Sequence, residues 1–290
     1  MRRIAWKYVY GIIGLILLIA VGIGFKRYIQ DYTSDFIDVT LYSNVLDEER
    51  KLFIRLPNNY DSTKRYPLVI KTDGNFNLAR WDELLSEFSA QQKAQDSIVV
   101  AVPNLVWSDS RNRDLVPPYA RREVNIEARP AELNSPELFG QADRFLRFIE
   151  TELIPYIEQH YAVSDNRVLS GFSAGGSFVL YTLSTRPALF SGYFAFSPAA
   201  WYDDSVVVKE FASRLPQITG APVFVYLSLG GEENPIITGA FRGLLSALDA
   251  RAPANLHWVH SYSQGAGHVE NPYLSLPEAI AQYHQFRDNL

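Results

Sequence analysis

The sequence predicts an α/β protein: an eight-stranded, mostly parallel sheet with helices on both faces, preceded by one N-terminal transmembrane helix. Two observations predict the sheet. Eight short apolar runs recur along the chain and, after the first two, alternate with helical stretches. Runs such as "SIVVAVP" and "PVFVYLSLG" are continuously apolar, the pattern of strands buried on both faces. A third observation, the stretch "MRRIAWKYVYGIIGLILLIAVGIGFKR", predicts the N-terminal helix.

That stretch has a basic start and an apolar run from Tyr8 to Phe25. The run is about 18 residues, near the minimum for a bilayer span, and longer than the ~7–15 residues of a signal-peptide core. It is read as an uncleaved anchor over residues 1–28, with secretion after signal cleavage as the alternative. Arg2, Arg3 and Lys7 precede it. The weak Lys/Arg bias favours the N-terminus inside, which puts the body of the protein on the periplasmic side of the inner membrane. Residues 29–35 read as a linker and 36–290 as one domain.

Within that domain "FIDVTLYS" and "RKLFIRLP" alternate around "NVLDEE" and form a hairpin candidate. The third strand is Leu68–Thr72, and a helix follows over Ala79–Lys93. The fourth strand, Ser97–Pro103, leads into an irregular stretch over Asn104–Asn134. Ser135-Pro136 has the cap-then-proline signature of a helix start, and that helix runs to His160. Strands Arg167–Phe172, Gly192–Pro198, Pro222–Gly230 and Asn255–Tyr262 then alternate with helices Ala174–Thr185, Val206–Arg214 and Ile236–Ala250. A helix from Leu276 closes the chain.

Composition narrows the chemistry. The chain has 290 residues, 47% hydrophobic and 20% charged, enough for a substantial core. Its net charge of -5 carries no footprint for nucleic acid. It has no cysteine, which excludes disulfides, a thiol nucleophile and Cys-ligated metal.

Gly171-Phe172-Ser173-Ala174-Gly175 fits G-x-S-x-G between a strand and a helix. Such a turn exposes a nucleophilic serine at a helix N-terminus and aims the next peptide N–H, that of Ala174, at an oxyanion. A serine hydroxyl needs a base. Of the five histidines, His160 ends a helix, His257 and His260 lie within the last strand, and His284 lies in the last helix. His268, in the loop "SQGAGHVENP" just past the last strand, is on the edge where ligands bind. The orienting acid belongs after the preceding strand, where "LSLGGEEN" supplies Glu233 and, second to it, Glu232. Asp203, Asp204 or a Ser-His dyad without an acid remain alternatives. The second oxyanion donor belongs after the third strand, at Asp73-Gly74-Asn75, with Asn75 N–H as the candidate and Asp73 tying the loop together. The order Ser, acid, His is that of α/β-hydrolases. No metal or cofactor is called for.

On the runs "RLPNNYDSTKRYPLVIKTDGNF", "FIETELIPYIEQHYAVSDNRVLSGFSAGG", "PALFSGYFAFSPAAWYDD" and "GAGHVENPY", residues 50–290 resemble the esterase-D-like family of the α/β-hydrolase superfamily. That family includes enterochelin (siderophore) esterases, feruloyl esterases, S-formylglutathione hydrolases and mycolyltransferases of the antigen 85 type. The resemblance implies the α/β-hydrolase fold, Ser173 and His268 with an acid near Glu233, and an oxyanion donor just after Gly74. It implies a serine carboxylic-ester hydrolase acting through an acyl-enzyme on siderophore-type or other small esters. Acyl transfer on the same fold, or a non-catalytic membrane-tethered binding protein, is the alternative. The loop "GGEEN" departs from the Asp-bearing loop of formylglutathione hydrolases and feruloyl esterases, which argues against a glutathione-thioester role.

The 104–134 stretch is long enough to bind substrate. Its Trp107, Arg111 and Arg113 are read as substrate-binding residues, against the alternative that Asp109, Asp114 and Glu123 pair with those arginines. Trp201 is read as pocket wall or core.

Overall fold

The computed structural model describes residues 36–104, 109–120 and 137–290, with Gly14, Ile19, Val21 and Gly22 of the first 35. The chain divides into two compact units, Met1–Phe36 and Ile37–Leu290. Among the described residues no helix is long and apolar enough to cross a membrane. Apart from those four residues, the anchor assigned to 1–28 and the linker 29–35 lie outside them.

The strands are β1 (Ile37–Ser43), β2 (Glu48–Arg55), β3 (Tyr66–Lys71), β4 (Ile98–Ala101), β5 (Val163–Phe172), β6 (Gly192–Phe196), β7 (Val223–Gly230) and β8 (Leu256–Ser263). They form one sheet in the order β1-β2-β4-β3-β5-β6-β7-β8. β1 and β2 are antiparallel and β2 meets β4 antiparallel, while β3 to β8 run parallel. β3, β4, β6 and β7 are buried along their whole length, as their unbroken apolar runs require.

The main helices are α1 (Leu78–Ala90), α2 (Asp109–Leu115), α3 (Ala142–Phe148), α4 (Ile154–His160), α5 (Ala174–Thr185), α6 (Tyr202–Arg214), α7 (Pro235–Arg251) and α8 (Asn271–Asp288). Alternate strand residues serve the two faces. Phe194 of β6 turns to Trp81 of α1 and Tyr283 of α8 at ring separations of 6.4 and 5.8 Å. Its neighbour Tyr193 joins the opposite core, which holds Phe145, Phe178 and Phe241 from α3, α5 and α7. Strand order reverses between β3 and β5, so the loops that follow these two strands flank a crevice, where ligands bind in such sheets.

Several boundaries differ from expectation. The helix assigned from Ser135 begins, among the described residues, at Ala142. Residues 137–141 form a turn pinned to α2 instead, with Gly140 N–H donating to Asn112 O and Gln141 N–H to Arg113 O. That helix also continues to His160 through a π-helical turn at Ile149–Leu153. Glu152 of this turn bonds Ser43 Oγ and Val45 N–H in the β1–β2 hairpin. The last helix starts at Asn271, five residues before Leu276, with Pro272 in its first turn and Pro277 inside it. α2 is a helical turn within a stretch read as irregular.

Candidate active site

Ser173 lies between β5 and α5 with φ 55° and ψ -115°, a sparsely populated conformation for a non-glycine residue. The chain imposes it. A Cβ on Gly171 would meet Gly175 O at 2.1 Å, and one on Gly175 would meet Thr72 Oγ1 at 2.4 Å. Only glycines two residues to either side let the turn close this tightly. Hydrogen bonds from Ser173 N–H to Phe196 O (3.0 Å) and from Ala199 N–H to Ser173 O (2.9 Å) then pin the elbow to the end of β6.

His268 follows β8. Its Nδ1 lies 2.7 Å from Glu233 Oε2. Its ring is 4.7 Å from that of Phe172, the residue before Ser173, and 6.2 Å from that of Trp201. Glu233 follows β7 and its side chain is fully buried. Burial alone would push its carboxyl up. Bonds from His268, from Ser197 Oγ and from Gly230 N–H (2.8 Å) outweigh burial and hold it below the ordinary glutamate value. Glu232, the second candidate, is exposed.

Ala174 opens α5, so its N–H has no partner within the helix. Among the described residues neither this N–H nor that of Asn75 is taken up by another group. Asn75 sits in the loop after β3, and that loop is fastened at Asp73. The Asp73 carboxylate takes a two-pronged ion pair from Arg111, Nε to Oδ1 at 2.7 Å and Nη2 to Oδ2 at 2.9 Å. Asp73 N–H donates to Asn104 Oδ1 at 3.2 Å, and Lys71 Nζ to Asp73 O at 2.8 Å.

The structure gives the arginines other tasks than the substrate contacts expected of them. Arg111 serves the Asp73 loop, and its Nη2 also reaches Phe172 O at 3.4 Å. Arg113 is committed to Glu48 and Asp114 through all three of its guanidinium nitrogens. It is a frame residue joining α2 to the hairpin. Burial opposes its charge, but these carboxylates raise its pKa above the ordinary arginine value. Trp201 is buried with its ring toward His268. Trp107 lies outside the described residues. Among the described residues no three His, Asp or Glu side chains gather in a metal-binding group.

Two features escaped sequence reasoning. Phe76, Phe172 and Tyr273 form an aromatic group beside His268, with Phe76 5.1 Å from Phe172 and 5.3 Å from Tyr273. Ser197 and Asn271 support Glu233 from below. The Asn-Pro pair at 271–272 carried a usable signal, since Asn before Pro is a helix-start signature.

A strained serine elbow, a carboxylate-bound histidine and two available N–H groups all stand just past strands of one sheet, at its carboxyl edge. A profile of the family described as "Putative esterase" matches residues 43–241. The chain belongs to this esterase family. The match includes Ser173 and Glu233 and ends before His268. The chain is 29% identical over 194 residues to "Ferri-bacillibactin esterase BesA" of Bacillus subtilis, covering 63% of this chain and 65% of that protein. It is 31% identical over 184 residues to "Siderophore enterobactin esterase" of Emericella nidulans, covering 60% of each. The matches thus span about three fifths of these curated relatives' length.

Among solved structures, an IroE-like serine hydrolase from Shewanella oneidensis superposes with a TM-score of 0.76 at 24% identity, covering 88% of this chain and 81% of that one. The BES protein from Bacillus cereus gives 0.74 at 23%, covering 87% and 96%. These two likenesses show that the fold is shared over the sheet domain.

Proposed function

We propose that the chain is a serine carboxylic-ester hydrolase. The observation that carries this reading is the His268–Glu233 pair, with the His268 ring against Phe172, the residue before a serine whose backbone is held in the elbow conformation. Ser173 Oγ attacks the ester carbonyl while His268 Nε2 takes its proton. Glu233, on the other ring nitrogen, fixes the tautomer and stabilises the imidazolium. The oxyanion is received by the N–H groups of Ala174 and Asn75, at the positive end of α5. His268 then protonates the departing alcohol, and water hydrolyses the acyl-enzyme by the reverse proton path.

The substrate in this reading is a siderophore-type or other small ester bearing an aromatic group. Support comes from the relatives' names and from the Phe76, Phe172, Tyr273 and Trp201 rings around His268. The test is a panel of p-nitrophenyl acetate, a feruloyl ester and a ferric catecholate trilactone, with wild type and Ser173→Ala compared. Turnover that Ser173→Ala abolishes in a folded protein supports the reading, and equal turnover by the variant refutes it. Analysis of products in the presence of an alcohol acceptor separates hydrolysis from acyl transfer.

The apolar stretch Tyr8–Phe25 supports a second proposal, that residues 1–28 tether the domain to the inner membrane with the catalytic side in the periplasm. Resistance of the full chain to carbonate extraction, with protease access from the periplasmic side only, is the expected result. Release into the soluble fraction refutes it.

A further inference from the structure

Behind Glu233 lies a buried polar network drawn from four elements. Asn271, fully buried at the start of α8, contacts Ser197 Oγ (2.8 Å), Ser228 Oγ (2.9 Å) and Ser263 Oγ (2.8 Å). Ser228 Oγ meets Ser275 Oγ at 2.9 Å, and Ser275 Oγ donates to Asn271 O at 2.7 Å. Ser197 Oγ also meets Glu233 Oε1.

Donor counting fixes the direction of every bond. A serine hydroxyl has one hydrogen to give, and an amide nitrogen gives two and accepts none. Ser275 spends its hydrogen on the Asn271 carbonyl, so Ser228 must donate to Ser275. Ser228 therefore accepts from Asn271, which identifies the atom facing it as Nδ2. The second Nδ2 hydrogen goes to Ser197, and Oδ1 accepts from Ser263. Ser197, already receiving a bond from Asn271, has its one hydrogen left for Glu233. Glu233 Oε1 thus faces two donors, Ser197 Oγ–H and Gly230 N–H, a setting that suits an ionised carboxylate and disfavours a carboxylic acid.

We propose that Asn271 is a positioning residue for catalysis: by directing the Ser197 hydroxyl at Glu233 it keeps that carboxylate ionised and oriented on His268. Ser197 supports this from its own backbone. It holds φ 42° at the end of β6, an unfavourable region for serine, with its N–H on Ser228 O at 2.8 Å. The strain is retained where the hydroxyl must reach Glu233. Among the described residues the charged or titratable group facing Glu233 is His268, and its other partners, Ser197 Oγ–H and Gly230 N–H, are neutral.

The inference rests on the esterase reading, and the experiment separates the two. Ser197→Gly removes the hydroxyl without backbone strain, and Asn271→Asp replaces the donor nitrogen by an oxygen of the same size. Each is measured on p-nitrophenyl acetate, with thermal melting as the check on folding. The expected result is a fall in kcat of about 10-fold to 100-fold with KM within about 2-fold. Loss of activity on the acid side should also set in at higher pH, because Glu233 now takes a proton more readily. In a Glu233→Gln background, adding Ser197→Gly should change kcat by less than about 2-fold, since the network then has no carboxylate to hold. A folded variant with wild-type kcat and pH profile overturns the inference alone, as does a Ser197→Gly effect that persists undiminished in Glu233→Gln. Wild type with no Ser173-dependent turnover overturns the esterase reading, and the inference with it.

Discussion

His268 Nδ1 stands 2.7 Å from Glu233 Oε2, joining loops that follow two neighbouring strands, β8 and β7. Parallel strands bring their carboxyl ends to one edge, so residues 35 apart in sequence meet there with no contact between their own segments needed. The pair makes pH a direct probe. Glu233 is held below its unfolded value, so between the two values the unfolded chain binds more protons than the folded one. Stability therefore rises with pH across that window and falls as pH drops through the folded value. Urea unfolding between about pH 5 and pH 3 should show a shallower fall in Glu233→Gln than in wild type. Parallel curves would show that the carboxylate makes no such contribution.

The elbow should tolerate no side chain at Gly171. In Gly171→Ala the new Cβ has Gly175 O at 2.1 Å, and the atoms it meets are all Gly175 backbone, which cannot swing aside as a side chain would. A loss of about 3 kcal/mol is expected, read as a lower urea midpoint at unchanged m. An unchanged midpoint would show that the turn is looser than described.

Arg111 and Arg113, two residues apart on α2, should behave differently. Arg111→Met leaves the buried Asp73 carboxylate without its cation, a change that costs about 3–5 kcal/mol. It also loosens the loop bearing Asn75, so kcat should fall more than KM rises. Arg113→Met removes bonds to Glu48 and Asp114, while Arg50 still serves both. It should cost about 1–3 kcal/mol and leave KM unchanged. Equal effects on KM would return both arginines to the substrate.

Trp201 turns its ring toward His268. Trp201→Ala should raise KM for the feruloyl ester about 2-fold to 10-fold more than for p-nitrophenyl acetate. A uniform effect on both esters would make Trp201 a core residue only.

Much of this arrangement was legible in the sequence because it depends on local pattern. Alternating runs in the first two strands and continuous apolar runs in the inner ones helped locate the eight strands, and the strand ends then ranked Ser173, His268 and Glu233 above the other serines, histidines and acids. What was not legible depends on long-range pairing. The partner of Arg111 is Asp73, 38 residues back and across the sheet edge, whereas sequence proximity offered Asp109 and Asp114. Ser197 and Asn271 look like ordinary loop polars until burial is known. The helix start at Asn271 was obscured by Pro277, which reads as a first-turn proline and stands in the helix interior. The π-helical turn at Ile149–Leu153 has no sequence signature, being held by Glu152 reaching the distant hairpin.

The central claim is that Ser173 is a nucleophile activated by His268. Labelling by a fluorophosphonate, mapped to its peptide by mass spectrometry, tests it without knowledge of the substrate. One adduct on Ser173 is predicted, absent in Ser173→Ala and formed at least about 100-fold more slowly in His268→Ala. No adduct on a folded wild-type chain, or labelling of Ser173 at an equal rate in His268→Ala, would contradict it.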